Sequence, residues 1–192
     1  MQFSDVAGQS HIKQLLIRSA SQGRIPHAQL FSGKHGHGPL PMALAYIQYL
    51  LCEAPSEQDS CGCCAACRKV DKLSHPDLHF AFPFAAKDDK DIAKNYLEYF
   101  REFVLKSPYG SVQSWQEFSS SDTKRPSINS ATTKAILTEV SQKPYEGKLQ
   151  FMLLRYPEMI THGMANRLLK SIEEPPPNTV FLLIAEEEGK LM

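Results

Sequence analysis

Four short, predominantly apolar runs are spaced along the 192 residues, and they constrain the fold more than any other feature: Ala28–Phe31, Leu78–Phe82, Leu149–Leu154 and Thr179–Ala185. Leu149–Leu154 is apolar apart from Gln150 and is flanked by Gly147 and Pro157, the pattern of a central parallel strand buried on both faces. The segments between the runs have helical periodicity. Ser10 can cap a helix with Ile12, Leu15, Leu16 and Ala20 on one face, ended by Gly23 and Pro26. Pro41 is suited to the start of a largely apolar helix over Met42–Cys52. A charged helix is expected over Asp88–Lys106, with Ile92, Tyr96, Tyr99, Phe100 and Phe103 on one side. Thr132–Gln142 reads as a further helix. Met164–Glu174 reads as another, with Met164, Leu168, Leu169 and Ile172 inward, stopped by Pro175, Pro176 and Pro177. Strands alternating with helices predict an α/β domain: a parallel sheet flanked by helices.

The first run leads into Ser32-Gly33-Lys34-His35-Gly36-His37-Gly38-Pro39-Leu40-Pro41. Strand, glycine turn and helix form the setting of a phosphate-binding loop. Gly33 and Gly38 have the spacing of the Walker A pattern, in which a lysine and then a serine or threonine follow the second glycine. Here Pro39 and Leu40 stand at those positions. The lysine would hold the β/γ-phosphates and the hydroxyl would bind Mg²⁺. Proline supplies neither a charge nor an N–H, and leucine cannot hold a metal. Nucleotide motors also carry an acidic pair at the end of a later strand. Here that position reads Arg155-Tyr156, with Glu158 nearby and out of register. Gly33, Gly36, Gly38, Pro39 and Leu40 therefore make a degenerate loop, expected not to bind ATP or Mg²⁺ productively. Lys34, His35 and His37 read as solvated loop residues, and Glu173-Glu174 as a helix end and subunit surface.

Between Cys52 and Asp71 lies Cys61-Gly62-Cys63-Cys64-Ala65-Ala66-Cys67. Two overlapping C-x-x-C steps plus Cys52 offer four thiolates to a tetrahedral ion, with Cys63 the spare. Cys52, Cys61, Cys64 and Cys67 are the expected ligands of a structural Zn²⁺, since four protein ligands leave no position open for water or substrate. An alternative set, Cys64, Cys67, His75 and His79, has a short central gap and Pro76 between its histidines. Free cysteines and an iron–sulfur cluster are further alternatives.

Charge and composition exclude some classes. The 21 basic and 21 acidic residues cancel, against a broadly basic nucleic-acid surface although not against a local patch. No secretory signal and no long apolar run occurs, which predicts a soluble, cytoplasmic chain without a membrane role. Residues 86–129 read as an insertion of unknown role, ending in a polar, mobile stretch over Ser119–Pro126. Lys124-Arg125 could touch phosphates there, but two charges in a polar loop ordinarily just solvate it. Trp115 reads as an anchor of the insertion.

Taken together, several motifs resemble the bacterial DNA polymerase III clamp-loader family. They are Phe3-Ser4-Asp5-Val6-Ala7-Gly8-Gln9, Arg24-Ile25-Pro26-His27-Ala28-Gln29-Leu30-Phe31, His75-Pro76-Asp77-Leu78, the four-cysteine spacing, and Ala165-Asn166-Arg167-Leu168-Leu169-Lys170-Ser171-Ile172-Glu173-Glu174-Pro175-Pro176. Within the family the loss of the Walker lysine and acidic pair is similar to δ′ rather than to the γ/τ motors. The resemblance implies an AAA+ core over 1–192, incomplete at its C-terminus, with a zinc module over 52–71. It implies a non-catalytic, δ′-like role beside γ/τ and δ, loading the sliding clamp onto primed DNA. The family's trans-acting arginine is expected beyond the last strand, and Arg155 lies on the wrong strand for it. An active γ/τ-like ATPase and a zinc-stabilised interaction module are the alternatives.

Overall fold

The computed structural model describes residues 1–119 and 125–191, with the backbone alone at 162–165. Most of the polar stretch expected to be mobile, including Lys124, lies outside the described residues, as does the Met164 side chain. Four strands, β1 (Ala28–Ser32), β2 (Leu78–Ala81), β3 (Gln150–Arg155) and β4 (Thr179–Ala185), form one parallel sheet in the order β1-β4-β3-β2. Seven α-helices surround it among the described residues: α1 (Ser10–Ser21), α2 (Pro39–Leu51), α3 (Ala65–Asp71), α4 (Leu97–Lys106), α5 (Val112–Phe118), α6 (Ser130–Val140) and α7 (His162–Glu173). None of the described helices is long and apolar enough to cross a membrane.

The period of two along the strands separates two cores. Phe151, Leu153, Val180, Leu182 and Ile184 face α2 and the residues of α4 and α5. Met152, Leu154 and Phe181 face α6 and α7, where Ile136, Val140 and Leu168 complete the packing. Every residue of β3 is buried: Phe151–Leu154 are apolar, and the Gln150 side-chain amide donates to Val140 O, Gln142 O and Thr179 Oγ1. Helix α2 is buried all round from Leu40 to Tyr49, which explains why it is apolar without a polar face. It starts at Pro39 rather than Pro41, because both prolines fall in the first turn, where an N–H has no intrahelical partner.

The charged helix expected over Asp88–Lys106 is shorter. Residues Ala93–Tyr96 form a 3₁₀ turn and α4 begins at Leu97. The reason is local competition from carboxylates. Asp91 accepts hydrogen bonds from the amides of Lys87 and Ile92, from Asn95 Nδ2 and from the Tyr96 hydroxyl. Asp88 accepts one from the Lys90 amide. Tyr99 is not on the inward side and is 58% exposed. Helices α3 and α5 were not foreseen. Each has a side-chain cap: Cys64 Sγ accepts from the Cys67 amide, and Ser111 Oγ from the Ser114 amide.

His75-Pro76-Asp77-Leu78 serves the sheet. The buried Asp77 carboxylate accepts hydrogen bonds from the amides of Tyr145, Glu146 (2.9 Å) and Gly147 (2.6 Å), pinning the loop before β3 to the start of β2. Burial alone would raise the Asp77 pKa; the three amides outweigh it and hold the carboxyl below its ordinary value. The folded value is thus lower than the unfolded one. This stability is present above the unfolded carboxylate pKa of about 3.9 and is lost as pH falls through the folded value. Asp77→Asn should therefore cost about 1–3 kcal/mol at neutral pH and flatten the acid limb of stability, measured by urea unfolding between pH 6 and 3. An unchanged acid limb would remove Asp77 from this role.

Candidate functional site

Two sites can be built from the residues upward. The first is the glycine loop between β1 and α2. Gly36 and Gly38 have φ of +83° and +78°, the left-handed region that glycine enters without strain. A phosphate cradle needs free amides at such a loop and at the helix start. Here the Gly33 amide donates to Ala185 O (3.1 Å) and the His37 amide to Lys34 O (3.0 Å). Pro39 and Pro41 have no N–H to offer. Leu40 is buried at 3% exposure and belongs to the core. Lys34, His35 and His37 are exposed, and the His37 carbonyl accepts from Gln9 Nε2.

Across the loop stand the ends of β3 and β4. The Arg155 guanidinium is buried, with its carbon 5.9, 5.6 and 4.9 Å from the ring centres of Phe100, Phe103 and Tyr156. Its Nη2 donates to Gly110 O and to the Tyr156 hydroxyl (3.3 Å). Burial lowers the Arg155 pKa, while Tyr156 and Glu186 raise it. The Tyr156 hydroxyl donates to Glu186 Oε1 (3.0 Å), and burial pushes its pKa up to about 12. Glu158, the acidic residue near the expected position, accepts from the Glu186 amide (3.0 Å) through Oε1. The partly open cavity lined by the loop, Tyr109, Arg155 and Glu186 is about 20 Å³. That is room for roughly one water, whereas small-ligand sites measure about 300–1,000 Å³. An open groove of about 920 Å³ lies on another side of the loop, between α1 and β1, and its lining includes Ile12, Leu15 and Leu30.

Sequence reasoning brought together Gly33–Leu40, Arg155, Tyr156 and Glu158. It missed Tyr109, Gly110 and Glu186. Tyr109 and Gly110 lie 70 residues from the loop with no motif around them, so only the tertiary fold could reveal them.

The second site is the cysteine cluster. Cys52 lies at the end of α2, Cys61 in the following loop, Cys64 at the cap of α3 and Cys67 inside its first turn. Their four Sγ atoms all lie within 4.8 Å of one another, and Cys61 and Cys67 are 3.9 Å apart. Thiolates at about 2.3 Å around a tetrahedral Zn²⁺ would stand roughly 3.8 Å apart. The amides of Cys61, Cys64 and Cys67 donate to the sulfurs of Cys52, Cys61 and Cys64 at 3.2, 3.4 and 3.4 Å. Backbone amides of Cys63 and Cys64 draw the Cys61 pKa down to about 6, while burial pushes Cys52 and Cys67 up. A cation among them is what makes four adjacent thiolates tolerable. The donor set therefore fits a metal ion. Cys63 is exposed and outside the cluster. His75 and His79 are not ligands of it: His75 Nδ1 accepts from the Asp77 amide, and His79 faces Glu139 at 3.6 Å. No other such group of His, Cys, Asp or Glu occurs among the described residues.

A four-stranded parallel sheet flanked by helices, with a glycine loop between its first strand and the buried helix, defines an α/β domain. A sequence profile described as "DNA polymerase III, delta subunit" matches residues 8–192, and the chain belongs to that family. It is 26% identical over 184 residues to DNA polymerase III subunit delta' of Bacillus subtilis, covering 96% of this chain and 44% of that protein. It is 28% identical over 189 residues to subunit tau of Escherichia coli, covering 98% of this chain and 23% of the other. A solved gamma subunit-related protein from Thermotoga maritima has the same fold, with a TM-score of 0.50 at 13% identity over 96% of this chain and 42% of that one. The chain thus spans less than half the length of these relatives. The motifs and the comparisons agree on a clamp-loader, δ′-like chain.

Proposed function

We propose that this chain is an ATPase-defective, δ′-like subunit of the DNA polymerase III clamp loader, helping to place the sliding clamp on primed DNA during replication. In this reading it acts in the cytoplasm through contacts with γ/τ and δ subunits and has no catalytic residues. One observation carries it: Pro39 and the buried Leu40 stand where the phosphate-binding lysine and the metal-binding hydroxyl are needed, and the buried Arg155 stands where an acidic residue would be needed. A buried guanidinium attracts phosphate but repels Mg²⁺, and the acidic pair that would hold the metal is replaced by Arg155 and Tyr156. The cysteine cluster holds one structural Zn²⁺ through Cys52, Cys61, Cys64 and Cys67.

Relatives called tau match this chain about as well as those called delta', so an active γ/τ-like ATPase is the rival. Equilibrium binding of labelled Mg·ATP decides between them. The expected result is no saturable binding up to millimolar nucleotide and no turnover. Micromolar affinity with phosphate release would establish the rival. Co-purification of the protein with the other polymerase III subunits is expected. A protein that assembles with none of them would be a zinc-stabilised module of another kind.

A further inference from the structure

We propose that residues 97–119 act as an internal occupant of the space at the glycine loop, with Tyr109 and Gly110 holding together the parts of the chain that a nucleotide would otherwise bridge. The inference rests on the reading that the loop does not use nucleotide, and it assigns the role of the segment that packs there. The Tyr109 hydroxyl accepts a hydrogen bond from the Ala7 amide at 3.1 Å, 102 residues away in sequence. The edge of its ring lies on the glycine loop. A Cβ built at Gly38 would come within 2.7 Å of Tyr109 Cε1, so only glycine permits the contact. The next residue reaches the other wall, where Gly110 O accepts from Arg155 Nη2. One dipeptide thus joins the N-terminal segment, the loop and the end of β3.

The dipeptide is held firmly from behind. The Ser107 amide donates to Phe103 O (2.8 Å) and the Gly110 amide to Ser107 O (2.9 Å), closing a turn directly on α4. A Cβ at Gly110 would meet Phe103 Cζ at 2.5 Å and Ser107 O at 3.0 Å, so the turn sits flush against the helix. Phe100 and Phe103 of the same helix carry the Arg155 guanidinium. The cation at the end of β3 and the segment that supplies its aromatic faces and one carbonyl therefore come as a pair, with the buried Arg155 Nη1 left without a partner. Arg155 would be costly to bury without the aromatic faces and the carbonyl supplied by this segment. The occupant fixes one arrangement of the loop whatever the nucleotide concentration.

Amide hydrogen exchange on the whole chain tests this, with and without Mg·ATP. In the wild type the Ala7 amide should be protected, and Mg·ATP should leave Ala7 and residues 107–110 unaffected. Tyr109→Phe keeps the ring and removes the acceptor. Ala7 should then exchange roughly three- to tenfold faster, the factor for one net hydrogen bond, with global stability little changed. Gly110→Ala should unseat the turn and speed Ala7 as well, although the hydroxyl remains. An Ala7 amide that exchanges at the unprotected rate in the wild type, or is indifferent to Tyr109→Phe, would overturn the internal occupant while leaving the non-catalytic role standing. Nucleotide turnover by the wild type would instead overturn the reading of function on which this one rests.

Discussion

Replacing Cys64 with serine should take the zinc content from one equivalent per chain to nearly none and loosen the chain well beyond the cysteines. Zinc bound by four thiolates contributes on the order of 10–16 kcal/mol in small peptides, and that energy is coupled to local folding. The loop between Cys52 and Cys64 has little apolar surface of its own to hold it. It nevertheless anchors the N-terminus. Asp59 accepts from the amides of Phe3 (3.0 Å) and Ser4 (2.9 Å), and Gln2 Nε2 donates to Ser60 O (2.6 Å). Cys64→Ser keeps a cap on α3, because a serine hydroxyl accepts the Cys67 amide in place of the sulfur, so the loss that is read is that of the metal ligand. Metal analysis should be paired with limited proteolysis, with new cleavage expected before Gln9 and within residues 53–63. Cys63→Ser is the control and should keep one equivalent of metal, since that side chain is exposed and outside the cluster. Retention of a full equivalent by Cys64→Ser would refute the four-cysteine site.

The sheet was legible because its information is local. Four apolar runs, each bounded by turn residues and separated by helical periodicity, are sufficient to give a parallel sheet. The cysteine site was legible for a related reason: C-x-x-C places two ligands on one turn by chain geometry, whatever surrounds it. Other features depend on what meets what. Tyr99 and Phe100 are neighbours of similar chemistry, but one is 58% exposed and the other 1% exposed. Only the position of the sheet beneath α4 decides between them. The start of α4 was misplaced because Asp91 captures amides that a helix would otherwise use, and periodicity does not register side-chain competition. Arg155 and Tyr156 could be recognised as departures from an acidic pair. Their partners Gly110 and Glu186 could not, since no spacing rule links residues 45 and 30 positions apart.

Truncating Trp115 to alanine should be among the most damaging single changes in the chain, despite lying in residues that look dispensable by motif. Its side chain is 1% exposed and packs on Phe82, Phe100 and Phe103 at centroid distances of 5.5, 5.6 and 5.5 Å. The indole N–H donates to Pro83 O at 2.7 Å just beyond β2. Removal of a buried tryptophan costs about 3–5 kcal/mol through lost contacts and the residual cavity. Leaving the Pro83 carbonyl without its partner adds about 1–3 kcal/mol. Against a total stability of about 5–15 kcal/mol for a typical domain, that reaches the edge of unfolding. Trp115→Phe restores most of the ring contacts and lacks only the donor, so it should recover more than half of the loss. Urea unfolding followed by circular dichroism measures both, since the single tryptophan makes fluorescence useless for these variants. If residues 97–119 were a loosely attached appendage, both variants would unfold at nearly the wild-type midpoint. A large loss in Trp115→Ala with partial recovery in Trp115→Phe would mean instead that the segment is part of the sheet's own core. The stacked pair Phe82 and Phe100, 3.9 Å apart and 3° from parallel, would then join the segment to the end of β2 as firmly as the helices are joined to the strands.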